Sequence, residues 1–285
     1  MLEQLYGLNL LEKHPMYAFL LGLGYSVVGI GAAVLLFPDD PALVAVAFAS
    51  LIMLPTLRKL LFQASQLETI KEKFSLISFF RDHRHIFFIY TAYFLGALLA
   101  FAFFAIVLPS MATNQIFESQ INVLYGSAKS GHAIISMPLF RSIFMNNLSV
   151  MILCFVTAFV FGDGGIFLIT WNASVWGTIF GNLAKSAASS MGKNPFIYFL
   201  IILTIVFPHM VLEAFSYFCS AGSGGIISKG VVRERFLSRP FFKIAMNSFV
   251  MLVFALVVLL AAVLVETWVL GNVGLYRTII KQSFG

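Results

Sequence analysis

Eight runs of this chain, 14–38, 41–57, 85–117, 142–162, 164–184, 194–212, 214–228 and 244–265, contain no Asp, Glu, Lys or Arg. At about 1.5 Å of rise per residue, most are long enough for a helix to cross the roughly 30 Å of hydrocarbon in a bilayer. A soluble fold needs charge at closer intervals, about a quarter of its residues. Here 11% are charged, 60% are hydrophobic and mean hydropathy is +0.95. The expected fold class is all-α: a polytopic transmembrane bundle of about seven spans with one or two interfacial amphipathic helices.

The charges that remain set the topology. A net charge of +6 in such a chain marks cytoplasmic loops and gives no reason to expect nucleic acid as a partner. Segment 58–84 holds Arg58, Lys59, Lys71, Lys73, Arg81 and Arg84 against Glu68, Glu72 and Asp82. Leu60, Leu61, Leu67, Ile70 and Phe74 recur there at helical spacing, which predicts an amphipathic helix on the headgroups. Segment 229–243 is the second basic cluster, with Lys229, Arg233, Arg235, Arg239 and Lys243 against Glu234. The run 164–184 either crosses or re-enters. Crossing gives seven spans and keeps both basic clusters on one side, so the charge bias favours it. The expected chain is then a multi-pass protein of the cytoplasmic (inner) membrane, with its N-terminus inside and its C-terminus outside.

Four stretches follow. Residues 1–57 contain a helical hairpin, since only Phe37-Pro38-Asp39-Asp40-Pro41 separates the first two runs. Residues 58–84 are the basic linker, 85–270 a five-span membrane domain and 271–285 a tail. The connection at 109–143 is too long for a turn and too apolar for a free loop, so a pair of short interfacial helices is expected. Met1 to Pro15 carries Glu3, Glu12 and Lys13, which argues against a cleavable signal. Cys154 and Cys219 lie in apolar runs and read as small buried hydrophobes.

Polar residues at membrane depth are the informative ones, because each unsatisfied group there is costly. His209 and Glu213 stand four apart after Pro208, on one helix face and able to pair. Pro208 removes an N–H and bends the helix, leaving the Thr204 carbonyl free. This group reads either as a proton- or ion-handling site or as an ion pair that fastens helices. Two ligands make an incomplete zinc site, and His132 has no spacing signature, so neither a metal nor a cofactor is expected. Asn146 and Asn147 open a span, where one caps the helix and the other is free to reach a neighbour. Asn172 precedes Gly177 and Gly181, whose GxxxG spacing permits close helix approach with Asn172 bonding across it. Ala221-Gly222-Ser223-Gly224-Gly225 reads as a helix break, either a flexible stop or a point of close packing. The basic residues Arg58, Lys59, Arg81, Arg84, Arg233, Arg235 and Arg239 are expected at the membrane surface. No nucleophile elbow, His-Glu-x-x-His or Walker sequence is present, so no enzyme is expected.

Taken in order, Asn146-Asn147, the glycines after Phe161, the Asn172 helix, Pro208-His209 with Glu213, and the Ala-Gly run resemble the stage II sporulation protein M family. Its hallmark is Pro-His-Gly with a Glu four residues past the His and an Asn-rich helix upstream. The resemblance covers about 85–270, with the 14–57 hairpin as an addition. Met210 stands where the family usually has Gly, and Ala173 where Gly is common. The Phe, Ile and Leu content suits an archaeal or non-sporulating relative. In its namesake setting the family holds peptidoglycan-degrading partners as a membrane scaffold. The resemblance therefore implies a non-enzymatic scaffold or assembly factor, with the bilayer and envelope proteins as partners and homo-oligomers possible. The alternative is an ion- or solute-coupled transporter or channel using His209 and Glu213.

Overall fold

The computed structural model describes residues 14–70, 76–127, 137–236 and 238–275, with 278, 279 and 282. Its helices are α1 (Pro15–Leu36), α2 (Pro41–Ile70), α3 (Leu76–Val107), α4 (Ser110–Ile116), α5 (Glu118–Ser127), α6 (Met137–Phe161), α7 (Gly165–Met191), α8 (Pro195–Arg233) and α9 (Arg239–Asn272). Among the described residues, six stretches, Met16–Leu36, Pro41–Phe62, Arg84–Val107, Met137–Phe161, Pro195–Arg233 and Arg239–Asn272, are long and apolar enough to cross a membrane. Leu35, Val160, Leu200, Val257 and Leu264 are exposed on them, the inverse of a water-facing surface. The chain is a multi-pass membrane protein.

Six spans, against the expected seven, satisfy length and hydropathy, and α7 is the difference. Thr170, Asn172, Ser174 and Thr178 lower its hydropathy, and all four are buried. The helix runs beside α3 for most of its length. Thr170 Oγ1 lies 3.1 Å from the Tyr93 hydroxyl, Gly177 abuts Leu98 and Gly181 abuts Ala102. Farther on, Lys185 Nζ donates to the Leu108 carbonyl just past the end of α3, where a cation complements the helix terminus. A helix enclosed by protein has no need of an apolar surface.

Glycine sets the closest approaches. A Cβ on Gly22 of α1 would run into the Tyr93 carbonyl of α3, and one on Gly96 of α3 into the Phe19 carbonyl of α1. At Gly181 the added carbon would stand 2.8 Å from the Ala102 carbonyl oxygen. The α1–α2 hairpin is thus packed directly on the helix that opens the following membrane domain. Between α3 and α6, α4 and α5 form the pair of short helices expected there. Gln120 of α5 is buried and donates to the Ala42 carbonyl at 3.3 Å and to Ser174 Oγ at 3.2 Å.

Several expected boundaries are corrected. The basic segment 58–84 is no separate amphipathic helix: α2 continues to Ile70 and Leu76 opens α3, with 71–75 outside the described residues. Residues 56–70 contain neither Gly nor Pro to stop α2. The Ala221–Gly225 run does not break α8, which continues through it to Arg233. Packing replaces the lost propensity, since Gly224 lies against the Phe155 carbonyl and a Cβ at Gly225 would be 2.7 Å from Leu61 Cδ1. Gly222 has open space beside it. Asn146 and Asn147 do not open a helix either, because α6 begins at Met137 and holds both in its interior.

Candidate polar site between three helices

The inward face of α8 is a stripe at three- and four-residue spacing: Val206, His209, Glu213, Ser216, Ser220 and Ser223, all buried. Three serines on it stitch neighbouring helices. Ser216 Oγ donates to the Ala255 carbonyl at 2.9 Å and Ser223 Oγ to the Ser248 carbonyl at 2.6 Å, both on α9. Ser220 Oγ donates to the Met151 carbonyl of α6 at 2.6 Å. Cys154 and Cys219 are buried in the same region. Hydroxyls that bond across helices add only modestly in a membrane, about 0.6 kcal/mol each, so the seam acts through its number.

Glu213 is 6% exposed in the midst of this seam. The Tyr217 hydroxyl, one turn later, donates to its Oε1 at 2.8 Å. Asn147 of α6 lies beside the carboxyl group on its other side, close enough to act on it. Asn146 Nδ2 in turn donates to Asn147 Oδ1 at 3.1 Å. Two of the sequence candidates, Asn147 and Glu213, therefore meet across the α6–α8 interface, with Asn146 supporting them from its own helix.

His209 is buried one turn before Glu213, yet among the described residues no hydrogen bond or ion pair joins them. Tyr217 takes up the carboxyl group, and His209 Nδ1 has no hydrogen-bond partner among the described residues. Pro208 sits inside α8 with its ring exposed, away from this cluster. Asn172 is buried but donates at 2.8 Å to the Leu168 carbonyl of its own helix. Gly177 and Gly181 instead provide the contact with α3 described above.

The group that sequence reading passed over is Glu266 of α9. It lies near enough to Glu213 for the two carboxyl groups to interact, and its Oε2 is buried with no hydrogen-bond partner among the described residues. In the sequence Glu266 only ends an uncharged run. Its place was legible from the six further helical residues to Asn272, which keep it inside α9. Tyr217 was also readable, as a hydroxyl four residues after an intramembrane acid.

A second charged group lies where α6 turns into α7. Asp163 is 7% exposed, and Lys229 Nζ of α8 stands 3.0 Å from its Oδ1. Burial pushes the Asp163 carboxyl above the ordinary range, while Lys229 and then Arg58 pull it back. Gly162 makes the turn with φ +72°, and a Cβ there would stand 2.7 Å from Lys229 Nζ. Gly162→Ala should therefore cost about 1–3 kcal/mol through backbone strain, with the Lys229 head displaced as well. Thermal unfolding in detergent would check this, and wild-type stability would contradict it. Of the other surface candidates, Arg58, Lys59, Arg81, Arg84, Arg235 and Arg239 are exposed, while Arg233 is half-buried and pairs with Glu234 at 2.8 Å. His132 lies outside the described residues, among which no three His, Cys, Asp or Glu side chains are grouped to hold a metal ion.

The sequence pattern of stage II sporulation protein M matches residues 86–269. The chain belongs to that family. The match takes in most of α3 and runs almost to the end of α9, so Asn147, Glu213, Tyr217 and Glu266 all fall within the family region. Helices α1 and α2 precede it. No curated protein and no solved structure matches the chain.

Proposed function

We propose that this stage II sporulation protein M family member is a non-enzymatic scaffold or assembly factor of the cytoplasmic membrane. In this reading α7 serves as a seventh, central span, the N-terminus faces the cytoplasm, and the polar core fixes helix packing while the loops recruit protein partners. The observation that carries it is the state of Glu213: a buried carboxyl group that accepts from Tyr217 and lies against Asn147 suits a clamp between α6 and α8. The close glycine contacts of α3 with α1 and α7 favour a rigid body over a moving one. The family's namesake role points the same way.

The test compares wild type with Glu213→Gln, which keeps an acceptor for Tyr217. The scaffold reading expects near-normal thermal stability, unchanged capture of partners by in-cell crosslinking, and no ion flux in proteoliposomes beyond that of empty vesicles. Proton or cation flux that the Gln variant abolishes would overturn it. A specific observation supports that rival. Glu266 lies near Glu213, and His209 Nδ1 and Glu266 Oε2 are both buried with no hydrogen-bond partner among the described residues, which suits a proton- or cation-coupled transporter.

A further inference from the structure

A recess of about 530 Å³ opens where α2, the α6–α7 turn and the end of α8 meet, lined by Leu54, Pro55, Arg58, Lys59, Asp163 and Lys229 among others. The lining thus carries three cations and one carboxylate. Asp163 is committed to Lys229 and holds that ammonium in the wall. Arg58 and Lys59 stand on consecutive positions of α2 with exposed side chains.

Position and lining define the occupant. The recess lies by the end of the apolar stretch of α6 at Phe161 and within one to two turns of the end of that of α2 at Phe62, near the edge of the apolar belt, where headgroup phosphates are within reach of long basic side chains. Its remaining wall is apolar, with Phe161 74% exposed beside the charged residues. A soluble anion would have no use for such a wall, whereas a lipid presents a phosphate and a chain to the two parts together. The positive end of α7, which starts at Gly165 with no side-chain cap, adds to the same field.

We propose that this recess binds the phosphate of an anionic lipid headgroup, with Arg58 and Lys59 as its principal cations and Lys229 as a fixed one held by Asp163. The inference is independent of the scaffold reading, since it concerns a different part of the molecule.

The test is native mass spectrometry of the full chain released from nanodiscs containing phosphatidylglycerol and phosphatidylcholine. Wild type should retain phosphatidylglycerol preferentially. R58Q/K59Q should lose about tenfold or more in that preference, at about 1 kcal/mol per basic residue near the surface. The charge-matched R235Q/R239Q should keep it, and all three proteins should unfold at similar temperatures. Equal retention by R58Q/K59Q and wild type would overturn the site. So would loss of equal size in the R235Q/R239Q control, which would reduce the effect to general surface charge. Retention of phosphatidylcholine as strong as that of phosphatidylglycerol, or occupancy only by added inorganic phosphate, would overturn the lipid assignment.

Discussion

Gly96→Val should be strongly destabilising, costing about 3 kcal/mol or more. Overpacking a close interface usually costs about 1–3 kcal/mol, and more where the backbone itself must move. At Gly96 the obstacle is backbone, the Phe19 carbonyl of α1, and the reciprocal contact of Gly22 with the Tyr93 carbonyl leaves no room for α1 to slide away. Tyr93 is in addition completely buried, with its hydroxyl 3.1 Å from both the Ala49 carbonyl and Thr170 Oγ1. Shifting α3 would disturb α1, α2 and α7 together. Gly24→Val supplies the control, because nothing lies within 4 Å of a Cβ there. Thermal unfolding in detergent should show a large drop for Gly96→Val and little change for Gly24→Val. Equal stability of the two variants would refute the packing argument.

Glu213→Ala should come second, at about 2–4 kcal/mol. The substitution leaves the buried Tyr217 hydroxyl without its acceptor, at about 1–3 kcal/mol for an orphaned group, and opens a cavity beside Asn147. Glu213→Gln keeps an amide oxygen for Tyr217 and should lose less than half as much. Tyr217→Phe removes one donor only and should fall near the Gln variant. Chemical or thermal unfolding of the three variants gives the order directly. A Glu213→Ala protein as stable as wild type would mean that the carboxyl group fastens nothing.

Much of this architecture is written in the chain's charge spacing. The six apolar spans, the hairpin at Phe37–Pro41 and the short helices α4 and α5 all follow from where charges and breakers fall. The pairing of Asn147 with Glu213 is less accessible, because both were visible as polar residues at depth but nothing local says which neighbour each meets. Local spacing misled at His209, where the four-residue interval to Glu213 suggested a couple and a tyrosine on the next turn took the carboxyl group instead. Glycine was misread at 221–225 for a related reason. Its low helix propensity is a property of an isolated segment, and here tertiary contact with Phe155 and Leu61 overrides it. Glu266 was missed because a charge that terminates an apolar run looks like the end of a helix, although α9 continues past it.

The composition of α7 has a consequence for how the protein is made. A segment carrying Thr170, Asn172, Ser174, Thr178 and Lys185 gains little by partitioning into lipid alone. It becomes comfortable only once α3 lies along its glycine face and α8 has closed over its start, where Gly165 meets Ala221. Because α8 follows α7 in the chain, the start of α7 has no such cover until α8 has been made. Truncation after Met191 would leave the buried polar face of α7 without its α8 contacts.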